Sequence, residues 1–150
     1  MTQDKPIPGF NPNAGAPIDP KIAEQWAANY RNQPVSEEEK RGRKRITAYY
    51  FGNKILDEIR QQPGCAGIRF YMGLEENSST DKARGKNKDK SQFEESKSQL
   101  QLLAVGVDEF GYDLVPRQDA NGAILNDGGI IGDATLKCPP VCDPTSPMTR

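Results

Sequence analysis

Two apolar runs in the middle of the chain predict the strands around which the fold forms. In the first run Ile68, Phe70 and Met72 alternate with other residues, which is typical of a strand with one buried face. The second run, residues 99–108, is apolar at nearly every position, which predicts a strand buried on both faces. We therefore expect the second strand to be central and the first to lie beside it.

The sequence after the second run predicts a tight turn. Asp108 and Gly111 bracket it, and these residue types favour turns because Asp bonds its own backbone and Gly accepts positive φ. Residues 112–115 then form a returning strand, which gives an antiparallel meander of at least three strands. Residues 74–98 separate the first two strands and hold six acids and six bases, so we expect a charged, flexible insertion there.

The apolar spacing before residue 35 predicts a first helix. Asp19 is suited to the N-cap and Pro20 to the first helical position. Ile22, Trp26 and Tyr30 follow at intervals of four and form one apolar stripe. We interpret Trp26 as a core residue, with an interface anchor as the alternative.

A second helix is predicted from a capping box at Ser36 and Glu39. Its apolar pattern extends to Gln62 and covers two sides, one of which carries Tyr49 and Tyr50. A helix that is apolar on two sides packs against two layers, so these tyrosines are candidate interaction residues.

These patterns predict an α+β fold with two N-terminal helices packed on a small antiparallel β-meander and with extended, Pro-rich arms at both ends. We expect a single domain over residues 19–137 with its insertion at 74–98. The N-terminal arm covers residues 1–18, and the Pro- and Cys-containing tail covers residues 138–150. The N-terminal arm is either a disordered tail or an arm on a neighbouring subunit, with Phe10 as an anchor.

Charge and composition narrow the function. The 150 residues include 20 basic and 21 acidic side chains, so no global field favours nucleic acid or an anionic membrane. No apolar run is long enough to insert in a bilayer, no signal sequence is evident, and three cysteines form an odd set; these features predict a cytoplasmic location. The chain has no histidine, the commonest general base, so we expect a protein that is not an enzyme.

A basic cluster, residues 40–45, has two interpretations. It contacts phosphate in a nucleic acid, or it is a solvated turn whose charges pair with the acids just before it. The adjacent acids favour the second interpretation, so we do not expect a nucleic-acid partner. The candidate contact residues are Arg41, Arg43, Lys44 and Arg45.

The cysteines allow three interpretations. Cys138 and Cys142 lie close together and, with Cys65, supply three sulfur ligands for zinc, although a fourth ligand is not evident. Cys138 and Cys142 also suit a local disulfide. The third interpretation, which we favour, is reduced cysteines in a docked tail, so no cofactor is expected and zinc remains the alternative.

Four motifs resemble a group of small uncharacterised bacterial proteins. They are Tyr49-Tyr50-Phe51-Gly52, Pro63-Gly64-Cys65-Ala66-Gly67-Ile68-Arg69, Val105-Gly106-Val107-Asp108 and Cys138-Pro139-Pro140-Val141-Cys142. The resemblance implies a bacterial, cytoplasmic origin. It carries no known activity.

Taken together, the patterns predict a small, non-enzymatic interaction or assembly protein that acts as a homo-oligomer or as an accessory subunit of a larger bacterial complex. A metal- or thiol-dependent protein and a nucleic-acid-binding accessory protein are the alternatives. Besides the basic cluster, the candidate interaction residues are Phe10, Trp26, Tyr49 and Tyr50.

Overall fold

The computed structural model describes residues 4–75, 99–125 and 129–149. It contains short helices and antiparallel strands, so the expected α+β class is confirmed. None of the helices in these ranges is long and apolar enough to cross a membrane. The helices are α1 (Pro20–Arg31), α2 (Glu37–Lys40) and α3 (Asn53–Arg60). The strands are β1 (Ala48–Tyr50), β2 (Cys65–Glu75), β3 (Gln99–Asp108), β4 (Asp113–Leu114), β5 (Arg117–Gln118), β6 (Ile124–Leu125), β7 (Ile131–Asp133) and β8 (Leu136–Cys138).

The main sheet is built around β3, as the sequence predicted. β2 pairs with one edge of β3, while β4 and β7 share the other edge, all in antiparallel orientation. The β2–β3 register runs as far as Glu75 opposite Gln99, which confirms the expected long hairpin. Most of the predicted insertion, residues 76–98, lies outside the described ranges.

The turn from β3 to β4 forms for the predicted reason. Gly111 has φ +99°, a conformation that strains other residues. The carboxylate of Asp108 accepts hydrogen bonds of 2.9 Å from the backbone N–H groups of Phe110 and Tyr112. These bonds close the hairpin.

Small residues let α3 approach the sheet closely. A Cβ atom at Gly106 would lie 3.4 Å from Ile59, and one at Gly132 would lie 3.0 Å from Ile55 and 3.1 Å from Ile59. Ala104 pairs with Gly132 in the sheet. Both Ala104 and Ile59 are fully buried. This contact is the centre of the core.

The predicted long helix from Ser36 to Gln62 is wrong, because it is split into α2, β1 and α3. α2 ends before Gly42, whose φ of +102° is incompatible with a continuing helix. The aromatic residues that follow favour a strand, and Tyr49 and Tyr50 pair with Lys137 and Leu136 of β8. Gly52 then forms the N-cap of α3.

The N-terminal arm lies against its own chain. The N–H of Ile7 donates to the carbonyl of Phe110 at 2.9 Å, and the hydroxyl of Tyr112 donates to the carbonyl of Lys5 at 3.1 Å. Phe10 packs on Gly111. Residues 4–10 are therefore docked on the β3–β4 turn.

Candidate interaction surface

An exposed apolar stripe follows β2 beyond the end of α3. Phe70, Met72 and Leu74 are 48%, 67% and 53% exposed. They lie on the face that α3 covers, because Phe70 pairs with the buried Ala104 and successive residues alternate between faces. An eight-residue helix is roughly 12 Å long, whereas an eleven-residue strand is roughly 36 Å long. The helix is therefore too short to cover the whole strand.

The β2 stripe (Phe70, Met72 and Leu74) continues into an open groove. Leu74 pairs with Leu100, and Leu100 lines a groove of about 510 Å³ beside the β1–β8 ribbon. Leu136 and Val141 also line this groove and are exposed apolar residues. The stripe and the groove together form one apolar surface, which is the candidate interaction surface of this protein.

Charged groups organise the opposite face of the sheet. Arg69 of β2 forms an ion pair with Asp113 of β4 and donates to the carbonyl of Gly111 at 3.2 Å, while the hydroxyl of Tyr71 donates to Asp113. These bonds cross β3 on the face where Val105 is buried. The Tyr71 hydroxyl and the Asp113 carboxylate raise the pKa of Arg69. The cluster holds β2 and β4 together and has a structural role.

The apolar stripe of α1 is exposed, so the interpretation of Trp26 as a core residue is wrong. Trp26 is 63% exposed, and Ile22 and Tyr30 are also exposed. α1 is instead held at its C-terminal end, where the hydroxyl of Tyr30 donates to the carbonyl of Ile46 at 3.0 Å and Arg31 donates to the carbonyl of Met148. The stripe remains available as a second apolar surface.

Arg45 holds the end of α1 in place. Its guanidinium donates to four backbone carbonyls in the segment from Tyr30 to Pro34 at 2.7–3.3 Å. It also makes two hydrogen bonds, of 2.6 and 2.7 Å, to the carboxylate of Glu39. These bonds, with the backbone N–H of Ser36, lower the pKa of Glu39 to about 2. Arg45 therefore has intramolecular partners for its charge and its donors.

The other basic-cluster residues differ in their surroundings. Arg43 forms an ion pair of 3.1 Å with Glu38. Arg41 is exposed at the C-cap of α2, and Lys44 is exposed beside the groove. The pairing with preceding acids matches the interpretation as a solvated turn, although the partners differ from the simple helical spacing because α2 ends after one turn.

The two tyrosines of β1 have different environments. Tyr50 is 63% exposed. Tyr49 is half-buried, and its hydroxyl has no hydrogen-bond partner among the described residues. Burial, with a smaller contribution from Tyr30, raises the pKa of Tyr49. Tyr49 is therefore a packing residue, and Tyr50 is available for contacts.

The structure does not bring the three cysteines together, as the alternative zinc site would require. Cys138 and Cys142 are joined by a disulfide with a Cα–Cα distance of 4.9 Å, so the favoured prediction of reduced thiols is wrong for this pair. Cys65 is free and lies on β2, opposite Asp108 of the main sheet. Within the described ranges, no group of three metal-ligating side chains comes together. The sequence spacing allowed zinc only if Cys65 reached the tail, and the topology keeps it on another sheet.

Sequence reasoning missed the exposure of the β2 stripe. The alternation of Ile68, Phe70 and Met72 indicated an inward face correctly, but it carries no information about how much of that face a helix covers. More weight on the strand propensity of residues 46–51 would have predicted a short α3 in place of one long helix, and a short helix leaves part of this face uncovered.

Comparisons with protein-family models, with curated proteins and with solved structures give no match to this chain.

Proposed function

We propose that this chain is a small, non-enzymatic interaction or assembly protein that binds protein through the β2 stripe and the adjoining groove. The observation that carries the proposal is the exposure of Phe70, Met72 and Leu74 on the same sheet face as the core. Apolar side chains that continue a core face into solvent are typical of protein contact sites.

The groups whose pKa values are shifted have surroundings that are explained by their role in holding the fold together. Glu39 and Arg45 stabilise the end of α1, Arg69 links two strands, and the pKa of Tyr49 is shifted mainly by burial. Each group has a role in holding the fold, and catalysis is not needed to explain any of the shifts. The cytoplasmic location and the bacterial origin remain predictions.

The proposal is tested with Leu74→Ser and with Val35→Ser as the matched control, since both residues are exposed and apolar but Val35 lies outside the candidate surface. Size-exclusion chromatography with light scattering gives the mass of the purified chain and of any copurifying protein. We expect a species heavier than 16.6 kDa that is weakened by Leu74→Ser and unchanged by Val35→Ser. A monomer without a copurifying partner, or equal effects of both substitutions, would contradict the proposal.

A further inference from the structure

The free edge of β2 presents a row of backbone hydrogen-bonding groups. Among the described residues, β3 is the only strand that pairs with β2. The even-numbered residues of β3 point their backbone N–H and C=O groups away from β2. The evidence is that the carbonyl of Leu102 accepts from Ala134 and the N–H of Asp108 donates to the carbonyl of Tyr112, both on the other side of β3. In an antiparallel ladder, the β2 residues opposite them likewise point their N–H and C=O groups away from β3. Met72, which faces Leu102, therefore directs its N–H and C=O towards the free edge.

This edge carries few of the features that usually prevent strand pairing. β2 has eleven residues without proline or lysine, and its two charged residues, Arg69 and Glu75, flank the segment from Phe70 to Leu74. Natural proteins protect long edge strands with such residues, with bulges or with a covering element. The irregularity in the β2–β3 ladder lies near Cys65, away from the exposed stripe. The segment from Phe70 to Leu74 is therefore suited to pair with another strand.

We propose that the partner strand is β2 of a second copy of this chain, paired antiparallel about a two-fold axis at Met72. Phe70 then lies opposite Leu74 of the second copy, and Met72 lies opposite its own equivalent. Each of these pairs exchanges both N–H···O bonds, because all of their backbone groups point to the shared edge. The two β2 stripes join into one apolar surface on a continuous sheet. This inference rests on the proposed function and specifies its partner.

Charge complementarity selects this register. With the axis at Met72, Arg69 lies directly opposite Glu75 of the second copy, on the face away from the apolar stripe. The terminal nitrogens of Arg69 already donate to Asp113 and Gly111, and one oxygen of Glu75 already accepts from Gln101. The Nε–H of Arg69 and the second oxygen of Glu75 are therefore the groups that would pair across the edge. An axis at Tyr71 places Arg69 opposite glycine, and an axis at Phe70 places it opposite tyrosine. A shift by one residue is excluded because it brings apolar and polar faces together.

The test uses the fact that Met72 faces itself in this dimer. Met72→Lys places two cations in direct opposition, Met72→Glu places two anions there, and an equal mixture of the two variants restores attraction. By sedimentation equilibrium we expect the wild-type chain at twice 16.6 kDa and each variant with a dissociation constant raised by roughly tenfold or more. We expect the mixture to recover dimers. Tyr50→Lys and Tyr50→Glu are the controls, because Tyr50 is similarly exposed on another strand and should not affect the mass.

The outcomes separate this inference from the proposed function. If the wild-type chain dimerises and Met72→Lys leaves the dimer intact, the β2 pairing is wrong while a self-associating protein remains. If both variants are monomeric and their mixture also stays monomeric, the register is wrong. If the chain is a monomer that binds a different protein in a manner sensitive to Leu74→Ser, the second copy is wrong and the interaction function stands. Far-UV circular dichroism confirms that each variant keeps its fold.

Discussion

The contact between Phe10 and Gly111 gives a quantitative test of the docked N-terminal arm. We consider the substitution Gly111→Ala. A Cβ atom at this position would lie 2.7 Å from Cγ and 2.9 Å from Cδ2 of the Phe10 ring, so the ring must move. Gly111 also has φ +99°, which an alanine adopts only with strain. The substitution therefore has two separable costs.

The two costs can be estimated. The positive φ costs about 1–2 kcal/mol for a residue with a Cβ. The steric clash costs about 1–3 kcal/mol. The clash has an upper limit, because the Phe10 ring alone can swing away while the backbone bonds of the arm stay in place, and this costs no more than the loss of the packing of the half-buried ring. A fully buried Phe→Ala change costs about 3–5 kcal/mol, so we take about 2 kcal/mol for Phe10. We expect Gly111→Ala to destabilise the wild-type chain by about 3 kcal/mol.

A double-mutant cycle with Phe10→Ala isolates the contact. In the Phe10→Ala background the clash is absent, so Gly111→Ala should cost only the backbone term of about 1–2 kcal/mol. The coupling between the two sites is then about 1–2 kcal/mol, measured by urea denaturation at one fixed protein concentration. A coupling free energy smaller than about 0.5 kcal/mol would refute the contact between Phe10 and Gly111.

Three further predictions concern other parts of the fold. Because Arg45 lowers the pKa of Glu39 from 4.5 to about 2, the stabilisation from Glu39 is complete above pH 4.5 and is lost as the pH falls towards 2. Glu39→Gln should therefore reduce the pH dependence of the free energy of unfolding, measured by urea denaturation, in that interval. The same pH dependence in the variant and the wild-type chain would contradict this. Tyr49→Phe removes a hydroxyl without a described partner, so we expect a gain of up to about 1 kcal/mol in thermal denaturation; a loss of that size would indicate an unseen partner. Reduction of the Cys138–Cys142 bond should cost about 2 kcal/mol for so short a loop. Alkylation of the unreduced protein should label Cys65 alone, and labelling of all three thiols would contradict the bond.

The main sheet was predictable because its signals are local. Alternation in β2, continuous apolarity in β3 and the Asp108–Gly111 turn are each evident within a short run of neighbouring residues. Each signal acts through a short-range cause: side-chain alternation, burial on two faces or positive φ. The predicted meander is confirmed, because β2 and β4 each pair with β3 in antiparallel orientation.

The second helix was not predictable from the same kind of signal. Its apolar positions fit a helical period, but β1 pairs with β8, which lies about ninety residues later in the chain. A strand that depends on so distant a partner has little local evidence beyond its aromatic content. Gly42 was the strongest local signal of a break, because a glycine with positive φ ends a helix.

The candidate surface was only partly predictable, for a related reason. Sequence patterns show which face of an element is apolar, but the neighbour that covers this face is set by tertiary topology. Trp26 and Phe10 illustrate the two directions of error. Trp26, interpreted as core, is exposed, whereas Phe10, a candidate anchor on a neighbour, packs on its own chain. Met72 was correctly assigned to the inward face of the sheet, but α3 covers only another part of that face and Met72 is exposed.

The division of the sheet face into a covered and an exposed part follows from side-chain size. α3 packs where the sheet presents Ala104, Gly106 and Gly132, since only small residues allow Ile59 to come so close. Towards the other end of the hairpin the same face presents Leu100 and Leu102 on β3 and the β2 stripe, which a helix at that distance would overlap. A continuing α3 would therefore have to tilt away from the sheet and lose its contact with Gly106. A strand added at the edge of β2 avoids this conflict, because it extends the sheet in its own plane and brings a second set of apolar side chains beside the first. The packing of α3 on small residues thus leaves the rest of this face free of the helix, and a strand paired at the edge of β2 enlarges the apolar face without displacing α3.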